Sequence, residues 1–341
     1  MNPRLATPTL LTLLAGTAYS QSWLSHPSGT TASFRGVSAV SAKVVWVSGT
    51  GGTYVVTTDG GSTWRTAVVP GAQQLDFRDV HGVDERTAYL LSSGPGDKSR
   101  IYKTVDGGAH WTLQFTNPDP KGFFDAIAFW DARHGIALGD PVDGNFVILS
   151  TDDGGENWER QPGPAALQNE GAFAASGTCL VTMGRREAWF ASGGPGAARV
   201  FHTKDSGQTW TVSPTPMRND TAGAGIFSLA FSDAMHGIAV GGDYNKPSDN
   251  AGNAAVTSDG GKTWTDREGA HPAGYRSAVA FVPDGKMWIA VGMSGSDVSF
   301  DHGNSWKTFD AGAYNAVSFA GGAGWAVGPN GRLAEFRPPE H

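Results

Sequence analysis

The apolar residues of this chain fall in short runs separated by turns rich in Gly, Asp, Ser and Thr. Runs of that length, bounded by turn signals, predict strands rather than helices. Phe34-Arg35-Gly36-Val37-Ser38-Ala39-Val40 predicts a first strand and Val44-Val45-Trp46-Val47 a second. Thr53-Tyr54-Val55-Val56-Thr57 predicts a third, and Trp64 opens a fourth. First strands are expected to restart at Phe77, Phe124, Phe173, Phe227, Tyr275 and Tyr314. Second strands are centred on Trp46, Tyr89, Ile136, Trp189, Ile238, Trp288 and Trp325. Seven starts predict seven four-stranded antiparallel units, an all-β arrangement that a closed propeller satisfies.

The link between third and fourth strands repeats as [ST]xDxGxxW in six of the units. Its acids are Asp59, Asp106, Asp153, Asp205, Asp259 and Asp301. Its Trp residues at 64, 111, 158, 210, 264 and 306 are 47, 47, 52, 54 and 42 positions apart, the period of a propeller blade. In a hairpin turn the Asp accepts backbone N–H groups, the Gly takes a positive φ, and the hydroxyl residue ties to the Asp. The Trp is expected between neighbouring sheets, with a partner for its N–H. Because each of these units carries the same turn, the acids read as structural and not as metal ligands. The last unit has no fourth strand of its own. Trp23-Leu24-Ser25-His26-Pro27 is similar to Trp210-Thr211-Val212-Ser213-Pro214, so residues near 22–27 are expected to complete that blade and remove the open sheet edges. Trp130 stands outside both repeated Trp classes.

This motif resembles the Asp-box, or BNR repeat, over nearly the whole chain after residue 20. Asp-box families include sialidases, some endoglucanases, sortilin-type receptors and the photosystem II stability and assembly factor family. The chain most resembles the last, a single exported seven-bladed domain. That resemblance implies a scaffold-like protein that binds a partner without catalysis. A sialidase needs three Arg residues, a Tyr–Glu pair and an Asp acid. The Phe/Tyr-Arg-Ile-Pro segment expected near the start of such an enzyme is matched only in part, by Phe34-Arg35-Gly36-Val37 and Phe77-Arg78-Asp79-Val80. A glycosidase, sialidase-like or another exo-acting kind, remains the alternative reading.

Composition narrows the classes further. Of 341 residues 48 are Gly, which suits a chain of many tight turns. The net charge of −7, with no basic block, disfavours nucleic acid. No apolar run is long enough to span a bilayer. Arg4, the apolar stretch Leu5 to Ala15 and small residues at Ala18 and Ser20 read as a signal peptide over 1–20, ahead of a propeller over 21–341. Export to the periplasm or the extracellular space follows. The single Cys179 excludes an internal disulfide and leaves no lipid attachment point at the expected cleavage site. The nine His residues lack metal spacing, and neither a metal nor another cofactor is expected. A monomer is expected.

Candidate chemistry is placed on one face. In a propeller the fourth-to-first and second-to-third links gather around one channel mouth, while the Asp-box turns lie on the opposite face. Arg35, Arg78, Asp125 and Arg276 each follow the aromatic that begins an inner strand. Asp140, Asp143, Asp243 and Tyr244 sit in second-to-third links, and Glu170 and Arg218 in fourth-to-first links. Ligand binding is expected from Arg35, Arg78, Asp125, Asp140, Asp243, Tyr244 and Arg276, for a protein or a glycan. Asp125, Asp140, Glu170 and Asp243 are the candidate acids if the protein is a glycosidase. On the plainer reading these charges form a solvated ring with no ligand.

Overall fold

The structure is a computed structural model that describes residues 21–267, 269 and 271–339. The expected signal peptide lies outside the described residues. Seven antiparallel sheets are arranged in a ring. Their innermost strands are Phe34–Ala39, Asp76–Gly82, Phe124–Phe129, Leu180–Met183, Ala224–Phe231, Ala278–Val282 and Ala316–Ala320. Each inner strand contacts the inner strands of the blades on either side, including the first against the seventh. The fold is a seven-bladed β-propeller.

The ring closes through the N-terminal segment. Ser22–His26 pairs antiparallel with Leu333–Arg337, placing Trp23 opposite Phe336. Trp23 packs on Phe309, Tyr314 and Phe336 at 5.4–6.0 Å, and its Nε1–H donates to Ser296 Oγ of the neighbouring blade at 3.0 Å. One short strand thus closes a sheet edge and ties two blades together.

Blade-to-blade cohesion comes from the second strands and the Asp-box turns. Trp46, Trp189 and Trp325 are fully buried. Tyr89 Oη–H donates to Gly154 O of the following blade at 2.6 Å, and Trp189 Nε1–H to Gly260 O at 2.9 Å. Within a turn, Thr57 Oγ1–H donates to Asp59 Oδ1, and the N–H groups of Gly61 and Thr63 donate to Thr57 Oγ1 and Asp59 Oδ1. The other five copies repeat these bonds. The motif Gly residues have φ between +79° and +88°. A Cβ at Gly61 would lie 2.3 Å from Trp325 Cη2, so this Gly serves both the turn and the close approach of blade seven.

Three expectations need correction. Phe173 does not begin an inner strand: the fourth blade's inner strand starts at Leu180. Residues 172–179, mostly small, turn into the channel instead. Ser176 Oγ–H donates to Ser277 O of blade six at 2.9 Å, and Gly177 lies so close to Asp79 of blade two that a Cβ would sit 2.0 Å from Oδ1. This segment plugs the channel, and where Gly177 passes Asp79 there is no room for a side chain. The fifth blade has three strands, its fourth reduced to a bridge between Val256 and Thr265. Finally, the motif Trp N–H groups are satisfied unevenly. Trp210 and Trp264 donate within their own turns, whereas Nε1 of Trp64, Trp111, Trp158 and Trp306 is buried without a partner.

Candidate functional site

The inner strands carry a second repeated device. In four blades the pairing with the second strand skips one residue near its start, between Phe34 and Gly36, Phe77 and Asp79, Phe124 and Ala126, and Ile226 and Ser228. The skipped residues are Arg35, Arg78, Asp125 and Phe227. A β-bulge re-aims the extra side chain out of the ladder. All four of these side chains line one cavity of about 620 Å³ at the channel mouth, above the plug.

The cavity has three sectors. Arg35 and Arg78 supply the first. Arg78 Nε–H donates to Asp76 Oδ2 at 2.8 Å, with a long contact from Nη1 to Ala174 O of the plug. Arg35 has no salt bridge, and its Nε is buried without a partner. Burial and then the like charge of Arg78 lower the Arg35 guanidinium from its ordinary value, opposed by Asp76. The group remains a cation. Blade three supplies the second sector. Asp140 Oδ1 accepts the N–H of Ala172 at 2.9 Å, and burial pushes its carboxyl up to about 6. Asp125 is 1% exposed, and neither of its oxygens has a hydrogen-bond partner. Burial, with Asp140 nearby, raises the Asp125 carboxyl well above the usual range, and Arg78 opposes the shift. The third sector is aromatic. Phe173 of the plug stacks on Phe227 at 3.9 Å, and Tyr275 meets Phe227 edge-on at 4.8 Å. Tyr244 stands at the rim, half exposed.

The cavity thus brings together Arg35, Arg78, Asp125, Asp140 and Tyr244. Four other candidates are elsewhere. Arg276 is fully buried beside Asp297: Nε–H donates to Oδ2 at 2.6 Å, and Nη2 lies 2.6 Å from the same oxygen without alignment for a hydrogen bond. Blade six has no bulge after its leading aromatic, so this Arg turns into the blade rather than the channel. Glu170 accepts from Ser192 Oγ at 2.6 Å and Leu167 N–H at 2.7 Å, and pairs with Arg199 through both oxygens. Asp243 accepts from Thr221 Oγ1 at 3.1 Å and Asn245 N–H at 3.0 Å. Arg218 bridges Asp220 and Asp249, stapling two loops. Each of these side chains is committed to an internal partner.

Sequence reasoning missed Phe227 and Phe173 as cavity walls, and Asp79 in the channel. Phe227 sits one place later than the leading core residue Ile226, an offset hidden because both are apolar. Asp79 accepts the N–H groups of Val80 and Ile127, both at 2.7 Å, and burial pushes it up to about 7. Among the described residues no group of three His, Cys, Asp or Glu side chains is placed to hold a metal. A glycosidase pair needs one ionised carboxyl beside a protonated one. Asp140 is raised only to about 6, and burial together with the charge of Asp140 holds Asp125 well above the usual range, so their titration is compatible with such a pair and does not by itself favour binding over hydrolysis.

Comparison with known proteins bears on what such a mouth does. The chain is 25% identical over 290 residues to the photosystem II assembly lipoprotein Ycf48 of Synechococcus sp. (strain CC9902), covering 82% of this chain and 77% of that protein. The chain is homologous to Ycf48. Among solved structures, YCF48 bound to D1 peptide superposes with a TM-score of 0.66 at 18% identity, over 92% of this chain and 96% of that one. YCF48 from Cyanidioschyzon merolae gives 0.63 at 17%, over 92% and 98%. Virginiamycin B lyase from Staphylococcus aureus gives 0.67 at 12%, over 93% and 99%. Likenesses this distant in sequence establish the fold alone: the same ring serves a Ycf48 and a lyase, so function has to be argued from the site. No protein-family model matches the chain.

Proposed function

We propose that this protein is an exported, non-catalytic assembly propeller that binds a peptide segment of a protein partner at the channel mouth. The observation that carries the reading is the set of three bulges delivering Arg35, Arg78 and Asp125 into one cavity, with Arg35 unpaired. A partly buried cation that makes no salt bridge of its own, its nearest acid Asp76 being paired with Arg78, favours an incoming anionic group. The aromatic sector offers apolar contact for the chain that carries it. The homology to Ycf48, a relative of which was solved with a D1 peptide, favours a protein over a glycan.

The test is fluorescence anisotropy with a labelled D1 peptide and a panel of short peptides from exported proteins. At least one should bind, and the double variant Arg35→Ala/Arg78→Ala should weaken that binding tenfold or more. Binding indifferent to both Arg residues would overturn the reading. Turnover of any member of a chromogenic glycoside panel, lost in Asp125→Asn or Asp140→Asn, would replace it with hydrolysis.

A further inference from the structure

Among the described residues five acids are buried: Asp79, Asp125, Glu170, Asp243 and Asp297. Four have partners for their charge or their lone pairs. Asp79 takes two backbone N–H groups, Glu170 takes Arg199, Ser192 and Leu167, and Asp243 takes Thr221 and Asn245. Asp297 takes Arg276, Thr308 and the N–H of Ala273. Asp125 is the exception: neither oxygen has a partner within hydrogen-bond geometry, and only the backbone N–H of Asp140 is near enough to stabilise its charge. A fold that saturates four such groups and leaves the fifth bare at the wall of a cavity has kept an unspent acceptor there. Leaving it without a partner is costly, and a donor entering the cavity would remove that cost.

The donor is not Arg78. That guanidinium is engaged by Asp76 and makes no ion pair with Asp125. Nor does Arg35 reach it, since Arg35 has no partner either. The cavity therefore holds a cation without a salt bridge in blade one and an acid without one in blade three, with blade two between them. Asp140 shares the acidic sector and keeps one oxygen free of the Ala172 contact. Blades four to six supply the apolar wall.

We infer that the mouth is a dipolar clamp: it takes a peptide segment whose carboxylate sits on Arg35 and Arg78 and whose ammonium or guanidinium sits on Asp125 and Asp140. The apolar stem between the two charges lies against Phe173, Phe227 and Tyr275. This rests on the mouth being the peptide site and specifies what that site selects: opposite charges a fixed distance apart, rather than acidity alone. Each end satisfies a group that the free protein leaves unmatched, so the two ends reinforce one another. A ligand with one end leaves the other sector unmatched.

The experiment uses the full-length protein and a ladder of ω-amino acids, namely β-alanine, γ-aminobutyrate and ε-aminocaproate, with caproate and hexylamine as one-ended controls. Affinities are read by ligand-observed NMR in the millimolar range. One rung is expected to bind at least tenfold more tightly than either control, and its length measures the spacing of the two sectors. Asp125→Asn should erase that preference while leaving caproate binding unchanged, and Arg35→Ala should weaken caproate and the best rung alike. Should Asp125→Asn fail to fold, Asp140→Asn and the ladder on the unaltered protein carry the same comparison. Caproate binding as tightly as every rung, or no binding by any rung, overturns the clamp. The peptide reading is judged separately, since D1-peptide binding that depends on Arg35 and Arg78 survives either result.

Discussion

The Asp-box rim and the channel mouth are both built from one position repeated around the ring, yet they treat that position in opposite ways. At the rim the six Asp residues share the same two bonds to Oδ1, from the hydroxyl two residues earlier and the N–H four residues later. Each accepts the hydroxyl and N–H groups of its own turn. Hydrogen bonds from the Thr63 side chain and backbone hold Asp59 at about 2, and those from His110 and Asn157 do the same for Asp106 and Asp153. At the mouth the residue at the bulge is Arg35, Arg78, Asp125 or Phe227 in different blades. There, burial pushes carboxyls upward, Asp140 to about 6 and Asp79 to about 7. Uniformity marks a position that every blade needs in order to stand. Variation at an equally regular position marks one that the ring as a whole uses, since a ligand touches different blades with different chemistry.

The sharpest way to break this comparison is to damage the rim. Gly61→Ala adds left-handed strain and drives a methyl into Trp325. The two effects together should cost about 2–5 kcal/mol, read as a lowered denaturant midpoint. A silent substitution would show that the rim glycine is not needed for the approach of blade seven.

A smaller and pH-dependent effect is expected in the channel. Asp79→Asn leaves one of two buried N–H groups facing an amide that cannot accept both, at a cost of about 1–3 kcal/mol. The folded Asp79 carboxyl titrates near 7, above its ordinary 3.8. Its stabilising contribution is therefore complete below the ordinary value and lost as pH rises through 7. The stability gap between the unaltered protein and the variant should shrink from pH 4 toward pH 8, measured by urea unfolding. A gap that widens over that range would mean the carboxylate, not the acid, is the favoured form.

The least effect is expected for Asp59→Asn. Asp59 is depressed to about 2, so its contribution is present above its ordinary 3.8 and lost as pH falls through 2. The variant should be slightly less stable than the unaltered protein at neutral pH, and the gap should close as pH falls from 3.8 through 2, measured by urea unfolding. An equal loss at all pH values would separate the role of the turn from its charge.

Much of the architecture could be read along the chain because its causes are local. The [ST]xDxGxxW turn closes its own hydrogen bonds within four residues, so six copies announce six equivalent hairpins. The likeness of Trp23 to Trp210 announced the strand that completes the seventh blade. The bulged Arg35, Arg78 and Asp125 were visible as the residues after a leading aromatic. Arg276 carried the same local signal and belongs to a buried pair instead.

What the sequence determined by itself was therefore the count of blades, their turns and the closure, since each is set by contacts between near neighbours or between copies of one pattern. Tertiary structure alone decided which charged groups are spent and which remain available. Arg276 meets Asp297 across 21 positions and Glu170 meets Arg199 across 29. The plug at 172–179 reaches Ser277 across 101. Saturation of a polar group depends on whatever the closed ring brings within hydrogen-bond distance, and no spacing along the chain records that.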